Sequence, residues 1–343
     1  MSKGLVKRGR EAQIERMLID RYHRKITYLR LSVTDRCDLR CTYCMPERMT
    51  FLPKREMLSL DELYRLARAF MARGVRKIRL TGGEPLVRRD MIDLVRALGR
   101  HVGEDLDEIT LTTNGTQLQK DAGELARAGV KRLNVSLDTL DRARFAQIAR
   151  RDAFPQVLDG IAAAKAAGLH VKLNAVVLAD SDTADLRDLI GWAHGEGHDV
   201  TLIETMPLGQ IDGDRHAQFQ PLDRIRRELE AKWTLEPSDL RTGGPSRYVT
   251  VRETGGTLGF ITPMTANFCD GCNRMRVTTT GKLYPCLGGG EEVDLRAALR
   301  SPGGDALDAA LNEALAIKPE RHAFAIRPGS GPAVERHMSV TGG

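Results

Sequence analysis

The sequence predicts an α/β protein: an open six-fold βα barrel, which is a partial TIM barrel, followed by a smaller C-terminal α+β extension. Short apolar strands alternate with amphipathic helices six times between Thr27 and about Glu230. Strands that alternate with helices form a parallel sheet with right-handed crossovers. Six units are too few to close an eight-fold barrel, so we expect this barrel to stay open.

Each unit combines a strand rich in apolar residues with a helix whose apolar residues recur at a spacing of about 3.6. The expected strands are Thr27–Val33, Lys77–Thr81, Glu108–Thr112, Arg132–Leu137, His170–Val176 and Val200–Glu204. The expected helices are Leu60–Ala72, Met91–Leu98, Ala122–Ala128, Phe154–Ala167, Leu186–His194 and Asp223–Lys232. Glycines follow several of these helices, where a left-handed cap favours them.

The regular alternation stops between Pro207 and Gly244, where glycine and proline are frequent. Two short strands, Tyr248–Arg252 and Leu258–Ile261, are expected after this break. The chain therefore divides into an N-terminal extension (1–25), a barrel domain (26–235) and a C-terminal domain (236–343).

Apolar and polar residues alternate within the strands, and successive strand residues face opposite sides of a sheet. The apolar face must pack against the helices, so the polar face points into the barrel. Four basic residues lie on that polar face: Arg30, Lys77, Arg79 and Lys172. Burying four charges without partners would be very costly. We therefore expect a wet cavity suited to an anion inside the barrel.

The composition is that of a globular protein with a basic surface. The 343 residues carry a formal net charge of +6, which suits an anionic partner. Aromatic residues make up only 5%, so a stacking surface for single-stranded nucleic acid has little support and we expect no nucleic-acid partner. No apolar run reaches 18 residues and no signal peptide is evident, so we expect no membrane association. Clustered free cysteines favour a reducing compartment, the cytoplasm.

The first cysteine set is Cys37, Cys41 and Cys44, at Cys-x3-Cys-x2-Cys spacing directly after the first strand. Charged residues interleave these thiols, which is poor composition for a buried core. A zinc site needs a fourth ligand, and the next 50 residues contain neither histidine nor cysteine. Three thiolates suffice for an iron–sulfur cluster with one open iron.

The second cysteine set is Cys269, Cys272 and Cys286, at Cys-x2-Cys-x13-Cys spacing. A zinc site is possible here, with His322 as the nearest histidine. A thioredoxin-like redox pair would leave Cys286 over. A second cluster with an open iron is the third possibility.

These motifs resemble a known family. The first cysteine set, with Tyr43 before its last cysteine, resembles the cluster loop of the radical S-adenosylmethionine enzymes. The string from Tyr28 to Cys37 is similar to the GTP 3',8-cyclases, the molybdenum cofactor biosynthesis protein A family. The motifs Thr-Gly-Gly-Glu-Pro (81–85), Thr-Thr-Asn-Gly (112–115) and Asn-Val-Ser-Leu-Asp (134–138) end the second, third and fourth strands and also match this family, as do the second cysteine spacing and the terminal Gly-Gly.

The resemblance implies two [4Fe–4S] clusters and S-adenosylmethionine as cofactors. It also implies conversion of GTP to (8S)-3',8-cyclo-7,8-dihydroguanosine 5'-triphosphate through a 5'-deoxyadenosyl radical, the first step of molybdenum cofactor biosynthesis. S-adenosylmethionine would be held by Tyr43, Gly83, Asn114, Ser136 and Met206. GTP would be held by Arg30, Lys77, Arg79, Thr112, Lys172, Arg274, Met275 and Arg276, with Gly342 and Gly343 reaching into the cavity. A flavodoxin- or ferredoxin-type electron donor and a monomer or homodimer are expected.

Two alternatives stay open from the residues. One is another radical S-adenosylmethionine enzyme with an auxiliary cluster, acting on a peptide or RNA. The other is a basic zinc- or cluster-bearing nucleic-acid-binding protein. The chain also departs from the family at Thr201, where many relatives carry an arginine. If that arginine helps to hold the triphosphate, its charge must come from elsewhere here.

Overall fold

One twelve-stranded sheet organises the computed structural model, which describes residues 17–303 and 305–342. The strands are β1 (Tyr28–Ser32), β2 (Lys77–Thr81), β3 (Glu108–Thr113), β4 (Arg132–Ser136), β5 (His170–Val177), β6 (Asp199–Glu204), β7 (Leu235–Pro237), β8 (Arg247–Val251), β9 (Thr257–Ile261), β10 (Arg274–Val277), β11 (Lys282–Tyr284) and β12 (Val293–Asp294). Strands β1 to β6 are neighbours in chain order and pair in parallel, as predicted. The sheet ends at β12 and β7 and stays open, which confirms the partial barrel.

Helices connect the strands on the outer face of this sheet. They are α1 (Leu60–Ala72), α2 (Met91–Gly99), α3 (Leu118–Arg127), α4 (Arg142–Ala149), α5 (Phe154–Ala166), α6 (Thr183–Gly195), α7 (Arg215–Gln218), α8 (Leu222–Glu230), α9 (Leu295–Arg300), α10 (Asp305–Ala316) and α11 (Met338–Thr341). All six predicted helices are present, although α3 and α6 begin three to four residues earlier. Helix α4 was missed, because its eight residues give too short a periodic pattern; the Asp141 carboxylate caps it by accepting from the Arg144 amide (2.6 Å).

The C-terminal extension continues the barrel sheet at both edges. Strand β9 pairs in parallel with β6, and β10 pairs in parallel with β1. The outer strands β7, β8, β11 and β12 are joined antiparallel. The predicted strands 248–252 and 258–261 are therefore present with shifted ends, but they complete the barrel wall instead of forming a sheet of their own.

The hydrophobic core lies between the outward face of the sheet and the helices. Leu29 and Leu31 of β1 are fully buried there, together with Ile78 of β2 and Phe70 of α1. Burying each such side chain contributes about 1.5–3 kcal/mol, so this one-sided apolar pattern fixes which face of each strand turns inward.

Residues 17–25 lie against the C-terminal part of the chain. Asp20 and Arg24 form a buried ion pair (2.6 Å), and Arg24 Nη1 also donates to the carbonyls of Cys269 (2.9 Å) and Glu320 (2.7 Å). The rest of the predicted N-terminal extension, residues 1–16, lies outside the described residues. No helix within the described ranges combines the length and hydropathy needed to cross a membrane.

Candidate active site

The loop that carries the first cysteine set packs against the turn after β2. The amide of Gly83 donates to the Thr34 carbonyl (2.9 Å), and the amide of Glu84 donates to the Arg36 carbonyl (2.8 Å). A Cβ atom at position 83 would lie 2.3 Å from the Arg36 oxygen, so only glycine allows this approach. The turn formed by Gly82 and Gly83 therefore supports the cysteine loop directly.

Glu84 links this turn to the end of β3. Its fully buried carboxylate accepts from the Thr113 hydroxyl (2.9 Å) and the Asn114 amide (2.6 Å), and burial raises its pKa to about 7. The Asn114 side chain then donates to Asp38 (2.7 Å) and lies 3.7 Å from the Cys37 sulfur. The motifs after β2 and β3 thus form one network that ends at the first cysteine set.

Asp138, after β4, holds the other side of the cysteine loop. Its carboxylate accepts from the Tyr43 hydroxyl (3.0 Å) and from the Val176 amide (2.8 Å). Burial raises the pKa of Asp138 to about 6. Tyr43 is therefore fixed by β4 and β5 through a single carboxylate.

The thiols of the first set lie in surroundings that disfavour thiolates. Burial raises the pKa of Cys37 to about 12 and that of Cys44 to about 11, and the Glu84 carboxylate adds to the effect at Cys37. Burial and then Asp138 raise the pKa of Cys41 well above its usual range. Binding an iron–sulfur cluster requires these thiols to lose their protons.

All five residues predicted to hold S-adenosylmethionine line the cavity that the first cysteine set faces. The space of this first cavity, including its open mouth, amounts to about 1030 Å³. Its lining includes Cys37, Cys41, Cys44, Tyr43, Gly83, Asn114, Ser136 and Met206.

A second cavity of about 1020 Å³ lies at the amino-terminal ends of the barrel strands and faces the second cysteine set. Its lining includes Cys269, Cys272, Cys286, Arg30, Arg79, Lys172, Arg274, Arg276 and Gly342. The polar strand face therefore does point inward, and β10 adds two more arginines that face the same space.

Three of these arginines lie side by side across adjacent strands. Arg276 of β10 is in register with Arg30 of β1, which is in register with Arg79 of β2. Neighbouring strands are about 4.8 Å apart, so this arginine row concentrates like charges that repel one another. Such a row is stable only if an anion or water compensates it.

Several polar atoms of the arginine row are without partners. The Nε atoms of Arg30, Arg79 and Arg276, and Nη2 of Arg30, are buried and form no hydrogen bond. Within the described ranges, none of the three arginines forms an ion pair with a carboxylate. Burial lowers the pKa of Arg276 to about 10, with the Arg274 charge as a further cause. Buried unpaired donors of this kind indicate a site for a multiply charged anion.

Lys172 lies at the far side of the second cavity. Its ammonium donates to the Tyr248 hydroxyl (2.8 Å), which is also hydrogen-bonded to the Thr242 hydroxyl (2.9 Å). Burial, with the charge of Arg79, lowers the pKa of Lys172 to about 7. Lys77 is set back from the cavity: its ammonium pairs with Glu108 (2.5 Å) and donates to the Thr242 carbonyl (2.9 Å).

Cations surround the second cysteine set. Although burial raises it, the charges of Arg274 and Lys318 lower the pKa of Cys272 to about 6. Cys272 is therefore the thiol best prepared to act as a thiolate ligand. The two sets thus differ in electrostatics, with carboxylates near the first and basic residues near the second.

Both cysteine sets suit iron–sulfur clusters better than single metal ions. Each provides three thiols at the wall of a cavity, which leaves one iron of a four-iron cluster open toward a ligand. His322, the candidate fourth zinc ligand, lines the second cavity with a buried, unpartnered Nε2. Yet among residues 17–303 and 305–342 no three His, Cys, Asp or Glu side chains gather around one position suited to a metal ion.

Three predicted GTP-site residues lie differently from expectation. Met275 is fully buried in the hydrophobic core, because strand alternation turns it away from its neighbours Arg274 and Arg276. Thr112 lines the first cavity, although its hydroxyl accepts from Arg79 (3.5 Å). Lys77 points at the loop that contains Thr242, as described above. Gly343 lies outside the described residues.

Thr201, the departure from the family pattern, is fully buried at β6 and its hydroxyl has no partner. It packs beside Gly259, where a Cβ atom would lie 2.8 Å from the Thr201 hydroxyl and 2.3 Å from that of Ser246. There is no room for a longer side chain without rearrangement. The arginines that line the second cavity in this chain are Arg30, Arg79, Arg274 and Arg276.

Several lining residues of the second cavity were not among the predicted site residues. Strand alternation places Tyr28 on the inward face of β1 with Arg30, but no ligand-binding role was predicted for it. Its ring lies under Lys77 (5.0 Å from the centroid) and Arg79 (5.7 Å). Tyr248 lies on β8 and reaches the cavity because β8 pairs with β9, which in turn pairs with β6. These pairings leave no local sequence signal, so its position at the cavity could not be predicted.

The two cavities adjoin each other. Asn174, Ile203, Met206 and Met338 line both. Helix α11 lies at this junction, with Ser339 in the first cavity and Gly342 in the second. Gly342 has a φ of +75°, and a Cβ atom there would lie 1.8 Å from the Thr81 hydroxyl.

Comparisons with known proteins agree with this geometry. The profile of the radical SAM superfamily matches residues 31–193, and the Molybdenum Cofactor Synthesis C profile matches residues 198–324. Streptococcus suis SuiB bound to S-adenosylmethionine has a similar fold, with a TM-score of 0.61 and 16% identity over 89% of this chain and 69% of that one. Native anSMEcpe with bound AdoMet aligns with a TM-score of 0.52 and 18% identity over 76% of this chain and 74% of that one. The chain is therefore a radical S-adenosylmethionine enzyme.

Curated relatives define the family. The GTP 3',8-cyclase of Erythrobacter litoralis is 68% identical over 95% of this chain and 98% of its own length. That of Agrobacterium fabrum is 60% identical over 95% of this chain and 94% of its own. The chain belongs to the GTP 3',8-cyclase family, and its cofactors are S-adenosylmethionine and [4Fe–4S] clusters.

Proposed function

We propose that the two adjoining cavities form one active site that converts GTP to (8S)-3',8-cyclo-7,8-dihydroguanosine 5'-triphosphate, for molybdenum cofactor biosynthesis. The observation that carries this proposal is the shared wall of Asn174, Ile203, Met206 and Met338. Residues common to both linings bring the ligands of the two cavities close together, and a radical reaction between S-adenosylmethionine and GTP demands such proximity. Family membership favours this function over the peptide-, RNA- and nucleic-acid-binding alternatives.

In the first cavity, Cys37, Cys41 and Cys44 hold the cluster that binds S-adenosylmethionine. Tyr43, Gly83, Asn114, Ser136 and Met206 surround that molecule. The networks through Glu84 and Asp138 keep the cysteine loop rigid. Glu84 accepts from Thr113 and Asn114 at the end of β3 while its own amide donates to the Arg36 carbonyl of the loop, and Asp138 accepts from Tyr43 of the loop and from Val176 of β5. Bound there, the cluster and S-adenosylmethionine supply the one-electron chemistry of the superfamily.

In the second cavity, Cys269, Cys272 and Cys286 hold the second cluster and the basic wall holds GTP. The unpartnered nitrogens of the arginine row donate to the triphosphate, and Arg274 and Lys172 neutralise more of its charge. Lys77 does not contact GTP itself; it holds in place the loop that contains Thr242, by donating to the Thr242 carbonyl. Met275 contributes packing only.

The end of the chain closes the junction. Gly342 follows α11 against Thr81, so it reaches the place where the two ligands meet. A carbon-centred radical is quenched by most C–H bonds, and a tightly packed junction keeps both ligands aligned and water out.

We also propose the wider setting. Free thiols that must hold clusters require a reducing compartment, which favours the cytoplasm. An electron donor of the flavodoxin or ferredoxin type reduces the first cluster, and the chain acts as a monomer or homodimer. Residues 26–235 bind S-adenosylmethionine and residues 236–343 complete the GTP side, with 1–25 as an extension.

The direct test is an anaerobic reaction. Protein reconstituted with iron and sulfide is mixed with S-adenosylmethionine, GTP and dithionite, and the products are measured by mass spectrometry. We expect 5'-deoxyadenosine together with an isomer of GTP. If a protein that carries two clusters forms 5'-deoxyadenosine without any GTP product, the proposed substrate is wrong.

Cys286→Ala separates the two cavities in the same assay. It removes one ligand of the second set and leaves the first untouched, so we expect uncoupled cleavage of S-adenosylmethionine to continue while GTP turnover falls at least about a hundredfold. Unchanged turnover of GTP would contradict the assignment of the second set.

A further inference from the structure

Lys318 is a buried cation that the proposed reaction does not use. It follows helix α10 and is only 1% exposed. Within the described ranges, no carboxylate forms an ion pair with its ammonium. An unpaired buried charge is strongly unfavourable, and burial lowers the pKa of Lys318, so the ammonium keeps its charge best beside a negative group.

The three protons of the Lys318 ammonium all point at the second cysteine set. Nζ donates to the carbonyls of Pro285 (2.6 Å) and Arg274 (3.1 Å) and lies 3.7 Å from the Cys272 sulfur. Pro285 directly precedes Cys286, and Arg274 is two residues after Cys272. One ammonium therefore joins the two chain segments that carry the set and touches one of its sulfurs.

Arg24 shows by contrast what a purely structural cation looks like. It also lies behind the second set and donates to the Cys269 carbonyl (2.9 Å), but its charge is balanced by Asp20 at 2.6 Å. Among residues 17–303 and 305–342, no acid pairs with Lys318 in this way. The group that can balance its charge is the Cys272 thiolate and the cluster bound to it.

We propose that Lys318 is a positioning residue that donates to the Cys272 sulfur and raises the reduction potential of the cluster in the second cysteine set. Reduction adds negative charge to a cluster, and a fixed positive charge in a low-dielectric site stabilises the reduced form. Hydrogen bonds to the sulfurs act in the same direction. The inference rests on the proposed function only in that the second set holds a cluster.

The test compares three substitutions in the full-length chain. Lys318→Met removes charge and donors, Lys318→Gln keeps donors without charge, and Lys318→Arg keeps the charge. Each is made in a background with Cys37→Ala, Cys41→Ala and Cys44→Ala, so that the second cluster alone is reduced. The midpoint potential is measured by titration followed with electron paramagnetic resonance.

We expect Lys318→Met to lower the equilibrium constant for reduction at least about tenfold, which is about 59 mV for one electron. Lys318→Gln should shift it in the same direction, and Lys318→Arg should stay close to the parent. The matched control, Asp20→Asn with Arg24→Gln, removes a neutral pair and should leave the potential within about twofold.

Unchanged potentials in Lys318→Met and Lys318→Gln would overturn the inference and leave Lys318 a packing residue. If both variants lose the cluster, the arginine variant decides: a retained cluster supports a requirement for the charge, and a lost cluster contradicts it. A parent background that binds no cluster at the second set would instead contradict the proposed function.

Discussion

Lys172 is a side chain of the second cavity whose charge changes near neutral pH. Its pKa is lowered to about 7 by burial and by Arg79, and its ammonium is held by the Tyr248 hydroxyl. In the ligand-free protein it is therefore about half charged at neutral pH. A triphosphate nearby favours the charged form and raises the pKa again.

GTP binding should therefore take up a proton at Lys172. At about pH 8 the free lysine is mostly neutral and the bound lysine is charged, so uptake approaches one proton; at about pH 6 it is charged in both states and uptake vanishes. Calorimetry in buffers of different ionisation enthalpy measures this. The control is Lys172→Met, which keeps only the proton changes of GTP itself. Equal uptake by both proteins at pH 8 would show that Lys172 does not meet the triphosphate.

At the scale of elements, the arginine row on β10, β1 and β2 favours binding of an anion but lowers the stability of the ligand-free protein. Arg276, Arg30 and Arg79 repel one another until an anion arrives, so the row destabilises the empty barrel. Functional sites commonly carry such a cost.

Arg79→Met should relieve this repulsion. We expect the unfolding midpoint of the ligand-free protein to stay the same or rise, while GTP affinity falls at least about tenfold and affinity for S-adenosylmethionine changes little. Thermal unfolding and calorimetry give the three values. Arg68→Met, on the exposed face of α1, is the matched control and should leave all three unchanged. A lower midpoint, or a larger loss for S-adenosylmethionine than for GTP, would mean that the row is not an anion site.

Helix α11 and the glycine after it are the second element with a sharp steric requirement. Gly342→Ala places a methyl group 1.8 Å from the Thr81 hydroxyl and forces alanine into a left-handed conformation that costs about 1 kcal/mol. We expect cyclisation to fall at least about tenfold while uncoupled cleavage of S-adenosylmethionine continues. Product analysis measures both.

The double variant Gly342→Ala with Thr81→Ala is the control for that steric effect. It removes the hydroxyl at 1.8 Å, but it leaves the Cβ atom of residue 81 at 2.3 Å from the added methyl group and the backbone strain unchanged, so it should recover only part of the lost cyclisation. Full activity in Gly342→Ala would show that the tail need not lie against β2.

Most of what could be predicted at this scale came from the alternation of apolar and polar residues in the strands. It identified the six barrel strands and turned Arg30, Arg79 and Lys172 inward. The same rule applied to β10 would have turned Met275 outward, but that segment was considered as a motif and not as a strand. The pairings of β10 with β1 and of β9 with β6 join residues far apart in sequence, so no local pattern announces them. Lys318 likewise stands in no recognisable motif.

At the scale of the whole molecule, the two cysteine sets lie in opposite electrostatic surroundings. Burial raises the thiol pKa values of the whole first set, with carboxylates as a further cause at Cys37 and Cys41. In the second set, burial raises the pKa of Cys269, whereas Arg274 and Lys318 lower the pKa of Cys272 to about 6. Iron can bind only where thiols have lost their protons.

The second set should therefore retain its cluster to lower pH than the first. The two full-length proteins to compare are the alanine triple variants of either set, each reconstituted between about pH 8 and pH 6.5 and assayed for iron and sulfide. We expect iron in the protein that keeps only the first set to fall earlier. Loss of sulfide in acid affects both proteins alike, so coinciding or reversed curves would contradict the assigned surroundings.

The length of strand β1 is constrained by the two cysteine sets near its ends. Its first residue, Tyr28, is hydrogen-bonded to Asn273 beside the second cysteine set, and its far end leads into Cys37 of the first. Five residues at about 3.3 Å each span roughly 16 Å, so the length of the strand contributes to the separation of the two cysteine sets. Inserting one residue would turn Arg30 toward the helices, and inserting two would lengthen the strand by about 7 Å. Strand β1 contains no cysteine, yet its length must stay constant, because a longer or shorter strand would no longer match the ligands that lie between the two cysteine sets.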